Sequence, residues 1–560
     1  MDERLSRIEA SIRDLDRRLQ TLERGDQLTG AAALEEPDEP VAPLVRRETA
    51  TEAITLTGRT LVALGGAYLL RALSDSHVLP LAAGVALAFA YAALWLAAAD
   101  RDGGRTRSTS ASFHALVTGL VAFPLVWEAT ARFAILDRLI SATALTAATL
   151  GMIAVAVHRR IQTIAWLALS LALPTTIALI ASTGAPLPYT VCLVVFGVAT
   201  LWVGYAWNWT WLRWPAALFA DVAVIALAVR ASGTDASAVV EPPLQVVAIQ
   251  MLLLNGYLGS VAIRTIVRAR DVIVFEVVQT AAALAVGFGG AVYVAQRSGS
   301  GVAALALLNL AFGIACYAVA FFFVRERPRN FSFYSTLALV LLITSGRLLL
   351  SPLWLTLAFD ALALACTWTA ARIGRVALMG HVAIYLAAAG VASHLWSSAA
   401  QALVGPAVST WTPIEGPASV TLAVVAVCWW WPTTGRDTLR PHEWAPRVMI
   451  AVLLVASAAG WMVSVATPLL AGEPGQGADS GVIATIRTAA LAVAAVALGR
   501  FGRDARFRES LWLVYPLLAA GGLKLLVEDF PQSKPATLFL ALALYGGALI
   551  IAPRLTHRRA

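Results

Sequence analysis

Residues 301–330, GVAALALLNLAFGIACYAVAFFFVRERPRN, decide the class of fold. From Gly301 to Phe323 no residue is charged, and Asn309 is the one strongly polar side chain. The run lacks period-2 alternation and is rich in Ala and Leu, so it reads as helix and not strand. At 1.5 Å per residue it is long enough to cross a hydrocarbon layer of ~30 Å. It stops at a polar knot holding Arg325, Arg327 and Arg329.

Outward from this segment the same unit repeats almost without pause from Ile54 to Ala552. Spans are expected near 54–73, 78–98, 112–131, 138–157, 162–182, 186–206, 213–230, 242–263, 272–295, 301–323, 332–349, 352–371, 376–395, 416–431, 446–469, 481–499, 509–526 and 535–553. The faintest are 138–157, edged by Asp137 and Arg138, and the short 416–431. The fold class is therefore all-α, a polytopic integral membrane protein with about eighteen transmembrane helices.

Arginine supplies an internal test, because cytoplasmic loops are enriched in Lys and Arg. With the N-terminus inside, the loops expected to be cytoplasmic carry Arg101, Arg105 and Arg107; Arg159 and Arg160; Arg264, Arg268 and Arg270; Arg325, Arg327 and Arg329; Arg372 and Arg375; Arg436, Arg440 and Arg447; and Arg500, Arg503, Arg506 and Arg508. The opposite loops 231–241, 396–415 and 470–480 contain neither Arg nor Lys. The phase holds to the end, so both termini are expected in the cytoplasm, with the chain in a bacterial inner membrane.

Composition agrees. Hydrophobic residues make up 59% and charged residues 14%, against about 25% charged in soluble domains. The net charge of +8 does not point to nucleic acid, since the positive residues sit in short loops between apolar runs. Cys192, Cys316, Cys366 and Cys428 all fall inside those runs without CxxC spacing, so neither a metal site nor a disulfide framework is expected. Residues 2–24 place Leu5, Ile8, Ile12, Leu15, Leu19 and Leu22 at 3-4-3-4-3 spacing. That is the seam of a short cytoplasmic coiled coil over 1–24, suited either to self-association or to packing on the protein's own surface. A flexible acidic linker is expected over 25–53, the multi-helix domain over 54–553 and a basic cytoplasmic tail over 554–560. The first apolar run follows some fifty polar residues, so no cleavable signal peptide is expected and the first span would serve as its own insertion signal. Trp207, Trp209, Trp211 and Trp214, and Trp429, Trp430 and Trp431, read as interfacial anchors.

The first hairpin, GRTLVALGGAYLLRALSDSHVLPLAAGVALAFAYAALWL at 58–96, resembles a bacterial family of predicted polytopic membrane proteins, the domain of unknown function 2339 family. The stretch FRESLWLVYPLLAAGGLKLLVEDF at 507–530 is similar to that family's closing pattern, a basic residue followed by an acidic pair. The resemblance implies family-typical polar positions at Arg71, Asp75, Lys524 and Asp529. It implies a fold and a location, with no activity attached.

No GxxxxGK[ST] loop, HExxH pair or GxSxG elbow occurs, so no cofactor, no metal and no soluble hydrolase chemistry are expected. The informative residues are ionisable groups inside apolar runs, which are costly in lipid and mark sites by default. The candidate intramembrane polar site is Asp221, Asp360, Glu276, Arg487, Arg347 and Glu128, with Arg487 or Arg347 as counter-ions to the aspartates. Arg59, Arg71 and Lys524 can snorkel to an interface. His381 and His394 read as helix-packing or interfacial residues. Pro174, Pro516 and the Gly521-Gly522 pair mark helix interruptions, and Gly287, Gly289 and Gly290 mark close packing. Three functions fit this pattern. One is a transporter or flippase-like carrier with the bilayer as its setting. Another is a non-catalytic scaffold working through residues 2–24, and the last is an intramembrane transferase on a lipid-linked substrate.

Overall fold

The computed structural model describes residues 79–556 apart from 106, 233–240, 432–443 and 476, together with Gly58, Leu61, Val62, Gly65 and Gly66. The expected coiled coil, the linker, most of the first span with Arg59 and Arg71, the following Asp75, and the last four residues of the tail lie outside the described residues. Every assigned element among the described residues is helical. Fifteen of these helices are long and apolar enough to cross a membrane, and a sixteenth crossing is supplied if one bent pair counts as a span. The chain is a multi-pass helical membrane protein.

It divides into two compact units, Met1–Thr183 and Gly184–Ala560. The first holds α1 (Leu81–Gly104), α2 (Ser108–Trp127), α3 (Arg138–Arg159) and α4 (Gln162–Thr183). Small residues let α1 and α2 approach closely: Ala88, Ala92 and Ala99 of α1 and Ala111 and Ala115 of α2 are all buried. The faint span 138–157 forms α3. Asp137, which blurred its edge, is its N-cap and accepts the Leu139 N–H. At the far end of α3, Arg159 forks onto Asp100 of α1 with two bonds of 2.7 Å. Pro174 does not interrupt α4, which runs through it.

The second unit begins with α5 (Pro186–Trp207), α6 (Arg213–Ala231), α7 (Pro243–Ala262), α8 (Val274–Ala283), α9 (Gly290–Ser298), α10 (Val302–Ala318), α11 (Pro328–Leu349) and α12 (Pro352–Ile373). It continues with α13 (Val376–Ala392), α14 (Leu395–Val404), α15 (Gly416–Trp430), α16 (Trp444–Leu470), α17 (Ser480–Phe501), α18 (Leu511–Lys524) and α19 (Pro535–Thr556). Sequence-adjacent helices pair as antiparallel hairpins, α10 with α11 and α12 with α13 among them. Phe331, Tyr334, Phe359, Tyr385, Val425 and Ile450 fill the core between them. His381 packs there, its ring nitrogens 3.3 Å from the Tyr317 hydroxyl and 3.4 Å from that of Thr336.

Helix faces sort by period. On α6, Leu218, Val222, Ile225 and Val229 are exposed, while Ala217, Ala220, Asp221, Val224 and Leu227 are buried. The two stripes interleave at 3–4-residue spacing, so one face meets lipid and the other meets protein.

Three further features depart from the sequence reading. The first is in the stretch 396–415, expected as a loop, which contains the helix α14 set at 75° to α13. The break falls at Ser393–His394, where His394 adopts φ 61°. The second is Gly521-Gly522, which does not interrupt α18. Tyr545 of α19 packs against both, so close that a Cβ on Gly522 would lie 2.6 Å from its hydroxyl. The third is Trp429, which is not an interfacial anchor. It is buried in an aromatic cluster, its ring 4.5 Å from that of Phe507.

Candidate functional site

The two mid-span aspartates turn inward, Asp221 being 8% and Asp360 3% exposed. Neither is paired with Arg487 or Arg347. Gln279 of α8 donates to both oxygens of Asp221 at 3.0 Å, and Thr421 of α15 donates to Asp360 at 3.0 Å. On the helices packed against α6, the polar atoms of Gln250, the Tyr257 hydroxyl and the Thr280 hydroxyl are buried and find no hydrogen-bond partner among the described residues. Such groups cost about 1–3 kcal/mol each when left unpaired.

Glu276, 1% exposed, anchors a second cluster. The Tyr205 hydroxyl donates to it at 2.5 Å, Arg264 pairs with it at 2.7 Å, and the Ile273 N–H donates to it at 2.8 Å as the first turn of α8 closes on itself. Arg264 belongs to a π-helical turn, Ile263–Val267, and its guanidinium also lies over the Tyr205 ring. With an anion, a cation and a tyrosine all mutually satisfied, this cluster fixes α5, α7 and α8 together.

The largest charged network is built on the C-terminal end of α14. A helix leaves its last carbonyls unpaired and carries partial negative charge there. Arg487 of α17 supplies the missing donors. Its Nε donates to Ala402 O at 2.7 Å and one Nη to Gly405 O at 2.5 Å, while the other Nη pairs with Glu528 at 2.5 Å. The Trp411 ring lies 5.2 Å from the guanidinium carbon. Lys524 does not snorkel. It turns inward to donate to Asp529 at 2.6 Å, to Thr488 at 2.8 Å and to the Ala484 carbonyl. Lys524 and Asp529 are five residues apart, a spacing that an α-helix would send to different faces. The π-helical turn Leu525–Asp529 brings them to one face.

At the other end of α14 lies a cavity of about 690 Å³, whose walls include Arg347 of α11, Leu355 and Phe359 of α12, Ala388 of α13, and His394 and Ser397 at the break. Arg347 makes no ion pair or side-chain hydrogen bond among the described residues. Glu128 belongs to the first unit, where it is half-buried and opens the π-helical turn Glu128–Arg132.

Sequence reasoning missed three contributors. Glu528, not an aspartate, is the counter-ion of Arg487; its i+4 spacing from Lys524 was the available signal. Arg447 and Glu509 form a fully buried pair, 1% and 0% exposed and 2.6 Å apart, although both sit at span edges and Arg447 reads by sequence with a cytoplasmic loop. The α14 carbonyls carry no sequence signal at all.

Inward carboxylates, closed ion-pair clusters and a helix broken within the membrane domain define a class: a polytopic membrane protein with polar machinery inside its helical bundle. Comparison of the chain with protein-family models, curated proteins and solved structures finds no match.

Proposed function

We propose that this protein is a flippase-like carrier that moves a small or lipid-linked envelope molecule across a bacterial inner membrane, with both termini cytoplasmic. One observation carries the reading: the α13–α14 pair bends by 75°, the one helix pair among the described residues that passes as a span together and bends by more than 40°. Carriers place substrate at such discontinuous helices, where helix ends supply polar groups at membrane depth. Here one end of the broken segment is clamped by Arg487 and the other borders a cavity. A helix held at one end and open at the other is suited to rocking about the clamp. The resemblance at 58–96 and 507–530 to the domain of unknown function 2339 family belongs to the same proposal. Its closing basic and acidic residues, Lys524, Glu528 and Asp529, all take part in the clamp.

The scaffold reading is favoured by a different observation, that both aspartates are hydrogen-bonded by neutral neighbours. Reconstitution separates the two. Proteoliposomes carrying tail-labelled phospholipids are exposed to dithionite, which bleaches label in the outer leaflet. A carrier lets bleaching exceed the roughly one half reached in protein-free vesicles, and Asp360→Asn slows it at unchanged membrane level. Bleaching that stops at the protein-free plateau for both anionic and zwitterionic lipid removes the flippase version and leaves the scaffold.

A further inference from the structure

The cavity at the N-terminal end of α14 joins two chemistries that seldom meet without a ligand. At its mouth is a guanidinium with no ion-pair or hydrogen-bond partner among the described residues. Three other arginines of the same unit, Arg264, Arg447 and Arg487, are engaged by carboxylates, whereas the buried Arg213 lies over the Phe275 ring instead. Arg347 is exposed in the last turn of its helix, where an anion or water can reach it. Arg347 lies at the C-terminal end of α11, where the helix dipole adds no anion-binding character of its own, so the attraction is that of its side chain.

The rest of the wall is apolar and runs inward. Leu355 and Phe359 follow one another along α12, and Phe359 lies about 10 Å from the start of that helix at 1.5 Å per residue. Ala388 faces them from α13. At the mouth, beside Arg347, the break exposes the His394 ring and the Ser397 side chain, both polar groups able to contact a headgroup. A soluble anion would leave the apolar depth unused, and a neutral hydrocarbon would leave Arg347 unpaired.

We infer that this cavity binds an anionic phospholipid, with its phosphate on Arg347 and one acyl chain laid against Leu355, Phe359 and Ala388. Arginine is suited to this because its planar fork pairs with phosphate through two parallel hydrogen bonds. The site recognises lipid by charge at the mouth and by chain in the depth. Occupancy does not require translocation, so a failure of the carrier reading leaves this inference standing.

The test is native mass spectrometry of the full-length, delipidated protein in detergent, titrated with phosphatidylglycerol or with phosphatidylcholine of the same chains. Glycerol phosphate and inorganic phosphate form separate arms. Phosphatidylglycerol is expected to bind more tightly than phosphatidylcholine. Arg347→Gln should weaken it about tenfold, the loss of roughly one charge-assisted hydrogen bond. Arg347→Lys should recover part of that loss. Arg372→Gln, at the opposite end of α12, should bind as the parent does. Because Arg347 has no partner among the described residues, its variants should keep the parental melting temperature. Equal binding of the two lipids, or an Arg347→Gln variant that binds as the parent does, overturns the inference. So does glycerol phosphate or inorganic phosphate binding as tightly as the whole lipid, which would make the cavity a site for a soluble anion.

Discussion

At the C-terminal end of α14, Arg487 directs its guanidinium to backbone carbonyls and to Glu528; at the N-terminal end, Arg347 has the same side chain and meets no partner among the described residues. Both arginines interrupt apolar runs, and by sequence they are interchangeable. What separates them is hydrogen-bond accounting. The closed end completes a helix terminus that would otherwise hold unpaired carbonyls, whereas the open end offers a cation beside an apolar cavity. An intramembrane charge therefore marks a ligand site only when the protein leaves its donors free. When they are all used, the charge is a joint between helices.

The strongest way to break this contrast is Arg487→Met. It strips the α14 carbonyls of their donors and leaves Glu528 only the longer contact with Lys524 at 3.5 Å, and removing one member of a buried pair typically costs about 3–5 kcal/mol. Thermal unfolding in detergent should show a large drop or loss of folded protein; a parental melting curve would mean that the clamp holds nothing. Asp360→Asn should be far milder, within about 1 kcal/mol, because Thr421 can still donate to the amide oxygen and no cation is stranded. A loss comparable to that of Arg487→Met would reveal a charged partner for Asp360. Milder again is Arg347→Gln, expected within about 0.5 kcal/mol of the parent. A strongly destabilised variant would place Arg347 with the joints.

The smallest expected effect lies outside the spans, at the edge of the closed end. Asp479 accepts from Lys534 at 2.6 Å and from the Gly481 and Val482 N–H groups that open α17. Chiefly the Lys534 ammonium, and then those backbone donors, hold its carboxyl below the ordinary range. A carboxyl depressed in the folded state contributes stability above its unfolded pKa and loses that contribution as pH falls through the folded value. The Asp479 contribution is thus complete at neutral pH and fades below about pH 4. Asp479→Asn should flatten that acid limb of the melting-temperature profile slightly; an unchanged limb would mean that other carboxylates set it.

Much of the fold was legible because it rests on local rules. The run 301–323 became α10 with its π-helical extension Val319–Phe323, and even the faint 138–157 became α3. The short 416–431 is a helix of 15 residues, Gly416–Trp430. Less of the site was legible. Asp221, Asp360, Glu276, Arg487 and Arg347 stood out as charges in apolar runs, but their partners did not. Gln279 lies 58 residues from Asp221, and Ala402 lies 85 from Arg487.

Taken alone, the sequence determined that the chain is helical and apolar enough to cross a membrane many times. Run length and the lack of alternation are properties of neighbouring residues, and the backbone must satisfy its own hydrogen bonds in lipid whatever the helices do to one another. Only the tertiary structure decided that 396–415 folds back as a tilted helix, that Arg487 closes its end, and that Arg347 stays open. Those outcomes depend on which donors and acceptors, far apart in the chain, come within about 3 Å of each other. Side-chain type fixes what a group can pair with; packing fixes whether the partner arrives.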